Sequence, residues 1–184
     1  MILRTERLDL RLWRDDEAER VFDIYGRDEV ARWLGATPRP MASLQEAALA
    51  VQRWRERHEA DPRYGVYAIE PHDTGVPAGS ALLVVLPDAV GVPTGDIEVG
   101  WHLHPDSWGH GYATEAGRAL VAQTFADGAS RVHAVVKPGN VRSMAVCRRL
   151  GMEHRGRTSR YYGIEVEHFT LDPPTSSDSG LTAT

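Results

Sequence analysis

Hydrophobic and polar positions alternate strictly along Asp96–His104. Ile97, Val99, Trp101 and Leu103 fall on one side, and Glu98, Gly100, His102 and His104 on the other. A period of two marks a strand. The pattern breaks at Trp108-Gly109-His110-Gly111-Tyr112-Ala113, a glycine-containing turn, and Thr114–Asp127 continues as a helix-forming run. A strand that feeds a glycine turn at a helix start brings several backbone N–H groups to one point. Such a point attracts anions, phosphates above all, through its orphan donors and the helix dipole.

The same reading orders the rest of the chain. Leu8, Leu10 and Leu12 alternate with Asp9, Arg11 and Trp13, predicting a first strand. Asp15-Asp16-Glu17 puts acid at the start of a helix through about Gly26. A broken helical stretch with Val30, Trp33 and Leu34 stops at Gly35, Pro38 and Pro40. Ser43-Leu44-Gln45-Glu46 is a capping box for a helix with Leu44, Ala47, Ala48, Val51 and Trp54 on one face, ended by Asp61-Pro62. Strands follow at Tyr64–Glu70 and Ala78–Leu86, then a loose Pro87–Gly95 loop, then the fourth strand Asp96–His104 and its helix. Arg131–Val136 is a fifth strand, and Asn140 caps a helix to Leu150 that Gly151 terminates. Met152–Tyr161 and Ile164–Leu171 read as a closing hairpin around Tyr162-Gly163.

The predicted order is β-α-α-α-β-β-β-α-β-α-β-β, an α/β (α+β) fold with a mixed sheet. Its β-α-β-α part from residue 96 requires a parallel crossover, right-handed by rule, with ligands entering where the strands splay. Residues 1–171 are expected to form one domain, and the polar, low-complexity stretch 172–184 to be a disordered tail.

Composition narrows the classes. A chain of 184 residues, 42% hydrophobic and 26% charged, suits one globular domain that needs no disulfide or structural metal. A net charge of -5 gives no overall pull toward nucleic acid or anionic membrane, so neither is expected as a partner. The single Cys147 excludes an intrachain disulfide and a cysteine-cluster metal site. Charges come too early in M-I-L-R-T-E-R for a signal peptide, and the longest apolar run, Ala81–Leu86, is too short to span a bilayer. The expected location is cytoplasmic.

The individual candidates are ambiguous. W-G-H-G-Y-A is neither a Walker loop nor a Rossmann fingerprint; by spacing it is either a phosphate site or a tight turn needing positive φ. Asn140 is explained by capping alone, with Ser143 one turn further on. His102 and His104 share a strand face, but no carboxylate or cysteine completes a recognisable set, so no metal is expected. Trp13 and Trp33 read as core, and Tyr161 and Tyr162 as hairpin packing. Arg148 and Arg149 read as surface charge or phosphate ligands, and Cys147 as a small buried residue.

Taken together, these motifs resemble a known family. A central strand, G-x-G at a helix start, then Asn140-Val141-Arg142-Ser143 about thirty residues later before a helix ending in Leu150-Gly151-Met152, is similar to the GNAT acyl-CoA-dependent N-acyltransferases. The opening T-E-R-L-D-L-R-L-W and the run G-W-H-L-H-P-D-S-W-G-H-G-Y-A-T-E-A resemble the RimJ/RimL branch of ribosomal-protein N-terminal acetyltransferases, over roughly residues 2–171. The resemblance implies the GNAT fold: a mixed sheet of about seven strands, helices on both faces and a splayed cofactor cleft after the fourth strand. It implies acetyl-CoA as co-substrate. The pyrophosphate loop falls on Trp108, Gly109, His110, Gly111, Tyr112 and Ala113, with Thr114 in the first helical turn. Asn140 matches a residue holding the pantetheine arm or a water, and Ser143 a position near the thioester sulfur. The family's strand bulge would free the amides near Trp101, His102 and Leu103. Trp108 departs from the pattern, standing where the family carries glutamine or arginine.

Chemistry supplies the catalytic candidates. An amine attacking a thioester is mostly protonated at pH 7 and needs a base, directly or through water; Glu98 is the first candidate. The leaving thiol has a pKa of about 8.5, so a serine hydroxyl, here Ser143, meets the mild demand for an acid. The acceptor implied by the branch is a protein N-terminal α-amine. The alternatives are a small amine, such as a polyamine, an amino acid or an antibiotic, or a non-catalytic acyl-CoA-binding module. A homodimer is left open.

Overall fold

The computed structural model describes residues 3–174; the tail expected to be disordered lies, from 175 onward, outside the described residues. Leu3–Arg4 (β1) and Leu8–Leu12 (β2) lead into a 3-10 turn and the helices Ala18–Tyr25 (α1), Asp28–Ala31 (α2) and Leu44–Ala60 (α3). Gly65–Pro71 (β3), Gly79–Pro87 (β4) and Pro93–Leu103 (β5) follow, then Tyr112–Ala126 (α4), Val132–Val136 (β6), Val141–Arg149 (α5), Glu153–Thr158 (β7) and Val166–Leu171 (β8).

The strands form one sheet in the order β1-β2-β3-β4-β5-β6-β8-β7. All neighbours are antiparallel except β5 and β6. The expected seven strands become eight because Leu3–Arg4 pairs with Leu10 and Asp9, and two residues are too short to show a periodicity. The fourth predicted strand also begins earlier. Pairing resumes at Pro87 and Pro93, which narrows the loop predicted over 87–95. The closing hairpin has the opposite outcome: its strands stop at Thr158 and restart at Val166, leaving a longer connection.

Helices cover both faces. One face of the sheet buries Leu10, Ile69, Leu83, Val99 and Phe169 against Ala116 and Leu120 of α4 and Cys147 of α5. The other buries Val66 and Ala68 against Val21, Ile24 and Tyr25 of α1 and Val51 of α3, with Trp13 at 1% exposure. This explains why the polar side of β2 is not solvated. Arg11 is buried and forms charge-assisted hydrogen bonds with Glu17 at 2.5–2.8 Å and with Glu70. Removing two faces from water demands such pairing for any charge left on them.

Helix ends follow their sequence signals. Ser43 Oγ accepts from the Glu46 amide at 3.2 Å, and the Glu46 carboxylate accepts from the Ala42 amide at 2.8 Å. Asn140 Oδ1 accepts from the Ser143 amide at 3.2 Å, and Gly151 leaves α5 with φ +80.

Candidate active site

The sheet opens between its two parallel strands. Among the described residues β5 and β6 share a single register pair, Glu98 with His133, whereas β5 stays paired with β4 from Ile97 through Leu103. Beyond Glu98 the strands diverge, and a cleft of about 850 Å³ occupies the gap. That volume lies within the range of small-molecule sites.

The register corrects one expectation. No bulge interrupts β5 at Trp101–Leu103; the irregularity lies between Val85 and Pro87. The splay frees the amides instead. Antiparallel bonds alternate along a strand, and the His104 amide donates to the Ala78 carbonyl at 2.9 Å. The backbone groups of His102 and Gly100 therefore also face β4, while those of Leu103 and Trp101, beyond the Glu98–His133 pairing, face the cleft. Leu103 O agrees, accepting from Trp108 Nε1 at 3.0 Å on that side. His102 contributes its ring rather than its amide: Nδ1 lies 3.2 Å from Tyr25 Oη, and burial pushes the imidazole down to about 4. Its neighbour His104 turns elsewhere, with Nε2 3.4 Å from Asp23.

The glycine turn closes one end. Gly109 and Gly111 sit at φ +84 and +83, conformations that glycine adopts without strain, and Gly111 is the N-cap of α4. Among the described residues, no protein acceptor is paired with the amides of residues 109–113. The turn is braced from the N-terminal segment. Arg7 donates to the His110 carbonyl at 3.0 Å, pairs with Glu115 at 2.6–2.7 Å and stacks on Tyr112. Trp108 takes its place in this frame: its indole holds Leu103, and its ring carries the Arg142 guanidinium at 4.3 Å. A planar cation on an indole face is a favourable contact, and it ties the turn to α5.

The start of α5 forms the facing wall, with Asn140 and Ser143 both lining the cleft. Two helix N-termini thus open on one space, each presenting a positive dipole end, with the unpaired N–H groups on the α4 side. Glu98 lines the cleft at the point of divergence. It is 8% exposed, accepts from Tyr162 Oη at 2.6 Å, and is pushed up to about 7 by burial, against the opposing effect of that hydrogen bond.

Of the residues singled out from sequence, Glu98, Trp101, His102, Leu103, Trp108, Gly109, Gly111, Tyr112, Ala113, Thr114, Asn140 and Ser143 all border this cleft. His110 does not; its ring is exposed and stacks on Tyr112. Trp33 and Arg149 line it as well, whereas Trp13 is core, bonded to Ser80 at 3.1 Å. Sequence reading missed Glu29, Leu34 and Lys137. Lys137 Nζ donates to Leu34 O at 3.3 Å and closes the wall between β6 and the segment after α2. Nothing local marks them, because their segments meet only through the sheet.

The geometry finds counterparts among known proteins. The family described as acetyltransferase (GNAT) domain matches residues 7–153. An uncharacterized N-acetyltransferase of Bacillus subtilis, YoaA, is 30% identical over 161 residues, 87% of each chain. A GNAT-family acetyltransferase from Bacillus anthracis superposes with a TM-score of 0.76 at 16% identity, over 94% of this chain and 98% of that one. RimL, a ribosomal alpha-N-protein acetyltransferase solved with coenzyme A, gives 0.75 at 18% identity over 94% and 98%. The chain belongs to the GNAT acetyltransferase family.

Proposed function

We propose that this GNAT acetyltransferase moves an acetyl group directly from acetyl-CoA to a protein N-terminal α-amine. The observation that carries the reading is the meeting, in one cleft, of unpaired turn amides, the β5 edge amides and a carboxyl held near neutrality.

The turn amides of residues 109–113 and the dipole of α4 suit the pyrophosphate, whose charge they complement without any side chain. This is why a tryptophan at position 108 is compatible with binding. The N–H groups of Trp101 and Leu103 face the cleft where the pantetheine arm and thioester would lie, and donors so placed stabilise the oxyanion that develops on attack. Glu98 removes the proton of the incoming ammonium, directly or through water. Ser143, which lines the cleft beside the N-cap Asn140, protonates the leaving thiolate.

A carboxyl raised toward neutrality by burial is suited to taking a proton from an ammonium group at physiological pH. The likeness of the opening and central runs to the RimJ/RimL branch supports a protein N-terminal acceptor. Thiol release from acetyl-CoA, measured with N-terminal peptides beside polyamines, free lysine and aminoglycosides, tests the reading. Turnover confined to small amines would overturn the acceptor. A thermal shift with acetyl-CoA but no turnover on any amine would identify a binding module.

A further inference from the structure

Two consecutive tyrosines of the β7–β8 connection place their hydroxyls on two carboxylates of β5. Tyr161 donates to Asp96 Oδ2 at 2.8 Å and Tyr162 to Glu98 Oε2 at 2.6 Å. Asp96 and Glu98 are two residues apart on a strand and so share a face. Neighbours in an extended chain point to opposite faces, so both tyrosines can reach that face only if the backbone departs from extension. It does so at Tyr162, with φ +58, the one non-glycine residue at positive φ among the described residues. A bulky residue held there costs about 1–3 kcal/mol and persists only where its surroundings enforce it. They do: Asp88 bridges to Tyr161, Arg160 pairs with Asp96 at 2.9 Å, and Gly163 lies against the Ala89 carbonyl.

We propose that Tyr162 is a positioning residue for Glu98, pinning Oε2 so that Oε1 is presented to the acceptor amine. The proposal rests on Glu98 being the base. Tyr162 does not itself line the cleft; it reaches Glu98 from outside the cleft wall. Oε1 accepts no hydrogen bond from the described residues. The other titratable groups around the pair are His133 across the parallel register, Asp96 and His102 on the same strand face, and Arg57 of α3, whose charge acts on Tyr162. Desolvation alone drives the carboxyl up, and the phenol is the one resolved influence that draws it back.

Tyr162→Phe keeps the ring and deletes the bond. The acidic limb of the kcat/KM profile should then move to higher pH by about half a unit or more, as a lost hydrogen bond to the charged form requires. At pH 7 the rate should fall about twofold or more and largely recover at pH 9, with KM for acetyl-CoA unchanged. Site-specific 3-fluorotyrosine at 162, a stronger donor of nearly the same shape, should move the limb the other way and guards against a folding defect in the phenylalanine variant. Carbon-13 titration of the Glu98 carboxyl, assigned by its loss in Glu98→Gln, reads the same shift without turnover. An unmoved carboxyl titration in both Tyr162 variants overturns the positioning role. A limb that survives in Glu98→Gln overturns the base, and the proposal with it.

Discussion

Glu98 of β5 and His133 of β6 form the last point at which the two parallel strands are held together before the sheet opens. A carboxyl at that position is shielded by strands on both sides and still borders the cleft. Burial and access, usually exclusive, coincide there.

Glu98→Gln should lower kcat by about two to four orders of magnitude, the ordinary contribution of a general base, with little change in KM for acetyl-CoA. The acidic limb near pH 7 should vanish from the rate profile. Stability should change too. The folded protein keeps the Glu98 proton up to about 7 while the unfolded chain releases it near 4.5, so this group's stabilisation is full below 4.5 and lost as pH rises to 7. The glutamine variant should therefore gain on the parent by about 2–4 kcal/mol at pH 8, and the gap should narrow toward pH 5 in denaturant titrations.

Gly111→Trp places bulk at φ +83, where the turn amides converge. Acetyl-CoA affinity should fall at least about a hundredfold, as expected when phosphate-directed amides are blocked. Isothermal titration calorimetry measures it; unchanged affinity would show that the pyrophosphate lies elsewhere. Gly111→Ala should cost only about 1–2 kcal/mol of stability, the strain of an L-residue in that region.

Trp108→Phe keeps a ring for Arg142 and removes the bond to Leu103 O. A loss of about 1 kcal/mol in urea unfolding is expected for one neutral hydrogen bond. Trp108→Ala loses both contacts, and KM for acetyl-CoA should rise as the turn loosens against α5. Equal KM in the two variants would separate Trp108 from turn placement.

Asn140→Ala and Ser143→Ala should part company. The first removes a cap and should cost about 1 kcal/mol in a thermal or chemical melt. The second should leave the melt nearly unchanged and lower kcat, most with poorly acidic leaving thiols in a series of acyl-CoA analogues. A kcat insensitive to Ser143→Ala removes it from the acid role.

Arg11→Ala leaves Glu70 without its counter-charge in a largely buried site and Glu17 with only the Arg14 guanidinium at 3.8 Å. A loss of about 3–5 kcal/mol is expected in denaturant unfolding, the usual result of breaking a buried pair from one side.

The GNAT architecture was legible in the sequence because its signals are local. Alternation along Asp96–Leu103, glycines at positions 109 and 111 and the Asn140 cap each act within a few residues, so their elements and the cleft they border followed from the chain order. The RimJ/RimL-like runs carried the family because several such signals occur together. Where the reading failed, the deciding contact was distant. The β5 amides are freed by divergence from β6 rather than by a bulge, and His102 consequently turns its backbone to β4. Arg11 was read as the polar side of a strand, yet helices cover that face as well. His110 belongs to the turn by sequence but its exposed ring stacks on Tyr112 and does not line the cleft. Tyr162 meets Glu98 across 64 residues, and Trp108 meets Arg142 across 34. Periodicity determines which face of an element is apolar. Which strands part, and which side chain then stands behind the exposed carboxyl, depends on the closure of the whole sheet, and no window of the chain contains that.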